Sequence, residues 1–400
     1  MKILILNAGS SSQKSCLYDI DALPDLPPEP LWEGSIDWTH QQGVAELKVK
    51  AKGKSIDRQI ETIDRTVATE ELLKTIWSGE TQVISDPSAI DRVGHRVVHG
   101  GAEYQQPTRV TAEVKAAIDR LAALAPAHNP ANLDGIEAIE QLLGDVPQIA
   151  VFDTAFHSQM PASAATYPIS QEWIDRGIRR YGFHGISHQY CAERAAQLLG
   201  RSSELQLITC HLGNGCSLAA IRDGHSIDTT MGFTPIDGLM MGTRSGSVDP
   251  GILIHLLREG LTIDDLDRLL NKESGLKGVS GVSGDMRSIA QAIEQGNDRA
   301  KLAFEVYVHR LRSNIGAMLA SLGGLDAIVF TAGVGENSAA VRTEACAAFE
   351  WLGWKIDAAK NRVKSADDRD IAAADSSVRI LVIHTQEDWA IAQACWNLNI

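Results

Sequence analysis

One pattern occurs in both halves of the chain: a short apolar strand, a turn of small polar residues, and a second strand running back. Near the N-terminus it is Lys2 to Asn7, the turn Ala8-Gly9-Ser10-Ser11, and Ser12 to about Asp19. Past the middle, Leu205 to His211 leads through Leu212-Gly213-Asn214-Gly215 into Cys216 to Ile221, and the tight Asp223-Gly224 turn leads on to a strand ending at Thr229. The repeat is one of pattern, not of sequence identity. It predicts an internally duplicated α/β protein with two lobes and a cleft between them. A length of 400 residues agrees, being more than one ordinary core organises.

Around these clusters the spacing alternates between strand and helix. Antiparallel strand is expected to about residue 63, after an extended proline-rich stretch from Leu23 to Pro30. Short apolar strands are expected at Val93 to Val98, Gln148 to Asp153, Asp326 to Thr331 and Val378 to His384. Helical spacing marks Thr111 to Leu124, Asn132 to Leu143, and Ser187 to Leu199 before Gly200. Pro250 opens a helix from Asp249 to Glu259, Thr262 and Asp265 form a capping box, and the longest helical run is Asp298 to Leu322.

A formal net charge of -14 and a pI near 5.3 exclude a nucleic-acid or anionic-membrane surface, since such partners require a basic footprint. Any anionic substrate must therefore meet locally placed cations. The six cysteines form no CxxC pair, which indicates neither a disulfide framework nor a zinc site, and they are expected to be reduced and buried. The apolar run Ile3 to Leu6 is far shorter than a signal-peptide core, and no stretch reaches membrane length, so the expected compartment is the cytoplasm.

Two familiar phosphate motifs fail. Gly53-Lys54-Ser55 resembles the end of a P-loop, but Lys48 stands where its first glycine belongs; Gly333-Val334-Gly335-Glu336-Asn337-Ser338 lacks the last glycine of a dinucleotide fingerprint. Three small-residue turns remain, each after a strand: Gly9 to Ser12, Gly213 to Gly215, and Gly333 to Asn337. Singly, each is an ordinary turn. Together, as polar tips from both halves of a duplicated fold, they match the way actin-like ATPases grip a triphosphate with backbone N–H groups. A helix from Ser338 to Trp351 would point its positive end at such a phosphate.

Arg96 in Gly94 to Gly101 and Arg244 in Met240 to Gly246 are flanked by apolar or small residues. Either an anionic ligand or an internal carboxylate must offset their desolvation. His95 and His99 are four apart, but across a β-branched strand, where that spacing does not converge on a metal. His184, between Phe183 and Gly185, reads as a donor to phosphoryl oxygens or as a structural histidine. Asp153 closes a strand and Glu387 follows one, positions suited to Mg2+ held through water, or for Glu387 and Asp388 to helix capping.

Taken together the motifs resemble the acetate kinase family over essentially the whole chain. The matching stretches are Asn7 to Ser12, Gly94 to Gly101, His128-Asn129-Pro130, Phe152 to His157, Tyr181 to Gly185, His211 to Gly215, Met231 to Gly251, Asp285 to Arg287 and Phe330 to Ser338. The resemblance implies a duplicated actin-like ATPase (ribonuclease H-like) fold. Its N-terminal lobe would be 1–152 with 388–400, and 153–387 would form a C-terminal nucleotide-binding lobe. It implies reversible transfer of the γ-phosphoryl group of ATP to acetate, giving acetyl phosphate and ADP, with Mg2+ (or Mn2+ as a substitute) and a homodimer.

By the same resemblance Asn7 and Glu387 hold the metal, and Lys14, Ser10 and Ser12 lie near the phosphates. Arg96, His184 and Arg244 surround the transferred group, while His211, Leu212, Gly213, Asn214 and Gly215 line the phosphate channel. Adenosine is held by Asp285, Met286 and Arg287 and by Gly333, Val334, Gly335, Glu336 and Asn337. Val98, Ala127, Phe183 and Pro235 line the acyl pocket, beside Arg96 and His128. Asp153 has been given base or metal roles. Acetate, with a pKa of about 4 to 5, is already a carboxylate at neutral pH and needs no base, which favours a metal-shell role.

Three positions depart from the family pattern: Ala127 for leucine, Ile186 for threonine, and Gln386 for asparagine or aspartate. Ala127 widens the acyl pocket, so propionate is expected to be used comparatively well. The rival readings are a propionate or butyrate kinase of the same fold and a nucleotide-switched binding protein. The latter leaves Arg96, His184 and Arg244 without a purpose.

Overall fold

In the computed structural model, which describes residues 1–9, 12–38, 41, 43–126, 128–201 and 203–399, the N-terminal strand pair forms as its pattern requires. Strand β1 (Lys2–Ala8) buries Ile3, Leu4, Ile5 and Leu6 and runs antiparallel to β2 (Ser12–Asp19), with Asn7 opposite Lys14. The sheet continues through β3 (Trp32–Asp37), β4 (Val44–Ala51) and β5 (Lys54–Glu61). On the other side of β1 lie β6 (Arg92–Val97), β8 (Gln148–Phe152) and the short β7 (Thr108–Arg109), giving the order β5-β4-β3-β2-β1-β6-β8-β7. The P-loop look-alike is a hairpin. Lys52 and Gly53 join β4 to β5 with φ of 51° and 74°, the left-handed pair of a type I′ turn.

This sheet belongs to one of two compact units into which the chain divides, Met1–Ala155 with Gln386–Ile400. Helices Arg65–Lys74 and Asn129–Leu143 cover a core that includes Leu4, Leu6, Leu17, Trp32, Ile36 and Leu47. Helix Glu387–Asn397 packs Trp389 edge-on to Tyr18 of β2. Helix Asn129–Leu143 starts three residues before the periodicity begins. Pro130 occupies its first turn, and the amide oxygens of Asn129 and Asn132 accept from the backbone N–H groups of His99 and Val98.

The second unit, Phe156–Thr385, holds a six-stranded sheet. Its strands are β9 (Gln206–Leu212), β10 (Cys216–Arg222), β11 (His225–Thr229), β12 (Ala327–Thr331), β13 (Arg369–Asp370) and β14 (Arg379–Val382), in the order β11-β10-β9-β12-β14-β13. Its first five strands repeat β3-β2-β1-β6-β8 of the other unit: an antiparallel meander of three, then two parallel strands. The duplication is thus one of topology.

Most helix ends fall where their capping residues stand: Thr262 and Asp265 close a capping box, and Gly200 and Gly323 end their helices at φ of 62° and 73°. One expectation is corrected. Residues 333–337 are not an open turn; Ala332–Asn337 is a short helix. Arg342, 1% exposed, holds it there by donating to the carbonyl oxygens of Gly335 and Glu336 at 2.7 and 2.9 Å. The next helix is correspondingly shorter than expected, Ala339–Ala347 capped by Ser338, followed by a 3-10 turn at Glu350–Leu352.

Candidate active site

In the first unit, β1, β6 and β8 are parallel neighbours, so their carboxyl ends emerge side by side, where open α/β sheets place ligands. Asn7, Arg96 and Asp153 stand at those ends. The Arg96 guanidinium donates to Asp153 Oδ2 from Nε at 3.0 Å and from Nη2 at 2.5 Å, and Nη1 lies 3.4 Å from Asn7 Oδ1. Of the two alternatives for Arg96, an internal carboxylate is present. Burial alone would lower the pKa of Arg96, but Asp153, Glu387 and Asp388 outweigh it and hold the guanidinium charged.

The first turn of helix Glu387–Asn397 brings two carboxylates to the same place. Asn7 Nδ2 donates to Asp388 Oδ1 at 3.0 Å and lies 3.5 Å from Glu387 Oε2. Burial, and then Glu387, raise the pKa of Asp388, against the pull of Asn7, Lys14 and Arg96. In the sequence Asp388 is marked only as a capping residue; its place beside Glu387 is the signal for this second role. Among the described residues no group of three or more His, Cys, Asp or Glu side chains forms a ready-made metal cage. Two hard oxygen donors instead suit a small divalent ion that keeps water and phosphate as its other ligands. For Asn7 to join them through its carbonyl oxygen, the amide must turn over from the orientation seen here.

The second unit gathers further hydrogen-bond donors. His184 caps helix Gly185–Leu199 in the left-handed region, φ 57°, and stacks on His211 with ring centres 4.2 Å apart. A Cβ built on Gly215 would stand 3.3 Å from His184 Nε2 and 3.6 Å from Arg244 Nη1. His184 and Arg244 therefore share the bare backbone of the β9–β10 turn. Arg244 also donates to the carbonyl oxygen of Pro235 at 3.1 Å, and Gly242 N–H donates to the carbonyl oxygen of Asn214 at 3.0 Å, tying the two glycine-rich loops together.

Of the residues expected at adenosine, Asp285 caps helix Met286–Glu294 and pairs with the exposed Arg287, which lowers its pKa. Glu336 turns its carboxylate inward, accepting from the backbone N–H groups of Ala332 and Thr385 at 2.8 and 3.1 Å and meeting His384 Nδ1 at 2.5 Å. Asn337 Nδ2 donates to the carbonyl oxygen of Gly333. Val98 and Phe183 are buried and His128 is half-buried at a helix N-terminus. Ser12 and Lys14 are exposed on β2, while Ser10 and Ala127 lie outside the described residues.

Residues 2–393 match the family model described as the acetokinase family. The chain belongs to the acetokinase family. Acetate kinase of a Cyanothece species is 67% identical over 402 residues, covering 100% of this chain and 98% of the relative. Among solved structures, Porphyromonas gingivalis acetate kinase superposes with a TM-score of 0.90 at 40% identity, covering 98% of each chain. A propionate kinase from Francisella tularensis superposes with a TM-score of 0.91 at 38% identity, covering 100% of each. This acetokinase therefore has the duplicated α/β fold of those kinases. Like its family, it is a phosphotransferase that uses ATP and a carboxylate acceptor.

Proposed function

We propose that this acetokinase transfers the γ-phosphoryl group of ATP directly and in line to acetate, reversibly, giving acetyl phosphate and ADP. The observation that carries the reading is the grouping of His184, Arg244 and the bare Gly215 backbone. Two donors at a Cβ-free turn suit a phosphoryl group whose charge spreads over three equatorial oxygens. The acceptor carboxylate is ionised near neutral pH, so no base is required. What it needs is relief from repulsion by the triphosphate, and Arg96 is suited to that task.

Asp153, 1% exposed and committed to Arg96, acts by anchoring that guanidinium, a role that takes precedence over the expected place in the metal shell. Glu387 and Asn7, with Asp388 beside them, would hold Mg2+ in this proposal, and the ion would supply charge neutralisation for the phosphates. Lys14, Ser10 and Ser12 serve the phosphates with residues 211–215. Asp285 to Arg287 and Gly333 to Asn337 serve adenosine, the latter through backbone, since Glu336 is committed inward. Val98, Ala127, His128, Phe183 and Pro235 shape the acyl site. The similarity to a propionate kinase, together with the small Ala127, supports propionate as a second acceptor.

Trapping the acyl phosphate with hydroxylamine, in parallel reactions with ATP, Mg2+ and acetate, propionate or butyrate, tests the proposal. Hydroxamate should form with acetate and, less efficiently, with propionate; none with any acid would refute it. Ala127→Leu should shift the kcat/KM ratio toward acetate by roughly one methylene's worth, about 10-fold or more.

We also assign a cytoplasmic homodimer. Six buried free cysteines, and the lack of any helix among the described residues long and apolar enough to cross a membrane, support the compartment. Helix Pro250–Arg258 supports the dimer: it buries no residue, and Ile252, Ile254 and Leu257 are 48%, 52% and 45% exposed. Light scattering after size exclusion should give twice the chain mass, and Ile252→Asp with Leu257→Asp should give one. A monomeric parent protein would contradict the assignment.

A further inference from the structure

Behind His184 lies a line of buried polar side chains. His184 Nδ1 is 2.9 Å from Ser217 Oγ, the same hydroxyl is 2.8 Å from His188 Nε2, and His188 Nδ1 is 2.7 Å from Thr209 Oγ1. Thr209, Ser217 and His188 have no exposed surface, so no solvent competes for these bonds. The line follows from register. Thr209 and Ser217 sit on the antiparallel neighbours β9 and β10, and His188 is one helical turn beyond His184. His188 is neutral, because burial and then the neighbouring His157 and His211 push its pKa well below the ordinary value.

A serine hydroxyl carries one proton. It can donate to only one of the two imidazoles, so both rings cannot present a lone pair to it, and the tautomers of His184 and His188 are coupled. His184 is also held in plane by stacking on His211, whose Nδ1 is 2.8 Å from Ser187 Oγ.

We propose that Ser217 and His188 are positioning residues that hold neutral His184 as its Nε2–H tautomer. Thr209 Oγ1–H donates to His188 Nδ1, His188 Nε2–H donates to Ser217 Oγ, and Ser217 Oγ–H donates to His184 Nδ1. The remaining N–H of His184 is then on Nε2, on the edge beside Gly215, where it can donate to a phosphoryl oxygen. The opposite polarity would present a lone pair there and repel the same oxygen. This inference rests on the reading of His184 as a donor to the transferred group.

Long-range proton–nitrogen correlation spectra of the full chain carrying 15N-histidine, recorded at about pH 8 so that accessible histidines are neutral, read the tautomers directly. Both His184 and His188 should carry the proton on Nε2; a proton on Nδ1 of either ring overturns the proposal. Ser217→Ala should convert His184 to a mixture of tautomers and lower kcat by about 10- to 100-fold, somewhat less than the outright loss of a transition-state donor costs. KM for ATP should stay within about twofold. Ser217→Thr, which keeps the hydroxyl, should recover most of the rate. A Ser217→Ala enzyme with parental kcat overturns the proposal. His184→Ala tests the underlying reading separately: parental kcat in that variant would remove His184 from phosphoryl transfer whatever its tautomer.

Discussion

Arg96 has to stay charged and aimed while largely buried, and a single carboxylate oxygen does most of that. Asp153 Oδ2 accepts from two guanidinium nitrogens, with the arginine side chain 16% and the aspartate 2% exposed. Removing one partner of a buried pair typically costs about 3 to 5 kcal/mol, because the other charge is left behind. Asp153→Asn should therefore destabilise the protein by about 3 kcal/mol and lower kcat by roughly 100-fold. The low-pH limb of the pH–rate profile should survive, since no base is being removed; its disappearance would make Asp153 a proton acceptor. The sequence marks both residues as unusual but not as partners. They are 57 positions apart and meet only because β6 and β8 are parallel neighbours. Ser217 and His188 were less legible still, since a serine in a strand and a histidine in a helix carry no signal until register joins them.

At the scale of the element, the β9–β10 turn works by what it lacks. Gly213 N–H donates to the carbonyl oxygen of Gly215 at 3.0 Å, closing the turn, and Gly215 is not left-handed, so alanine meets no backbone penalty there. The added methyl would instead sit 3.3 Å from the His184 ring. Gly215→Ala should leave thermal stability within about 1 kcal/mol of the parent while lowering kcat by more than 10-fold. An equal fall in melting temperature and rate would show that the glycine serves folding rather than the cradle. Strand-turn-strand elements of this kind were readable from local pattern because their bonds are local. Helix Ala332–Asn337 was not. Two glycines in six residues read as an open turn, and what makes it helical comes from elsewhere: the guanidinium of Arg342 on two of its carbonyls, and Glu336 folded back onto the Ala332 N–H. Ala332 itself is held at φ 62°, a conformation that those contacts must over-determine.

At the scale of the molecule, both units bury histidines that stay uncharged. Burial pushes His95 and His99 of the first unit and His157 of the second down to about 4, and pushes His188 well below its ordinary value. Neutral His95 is paired with Gln148 Oε1 and His157 with Ser226 and Phe183, none of which carries charge. Unfolded, the same rings take up protons near pH 6.5. Between about pH 6.5 and 4 the unfolded chain therefore binds more protons than the native one, and stability falls as the pH falls. His95, His99 and His157 each contribute up to about 3 kcal/mol by the bottom of that window. Asp388, whose pKa is raised, has the opposite slope, but it is one group against four. Carboxylates held below their ordinary range, such as Asp285 and Glu336, lose their contribution only from the ordinary carboxylate range downward, so the upper part of the loss belongs to the histidines. Calorimetric melts should show Tm constant above about pH 7 and falling steeply from pH 6 to 5, and His95→Gln should reduce that slope in proportion to one ring. A Tm that stays flat until carboxylates begin to protonate would mean that the interior admits imidazolium after all.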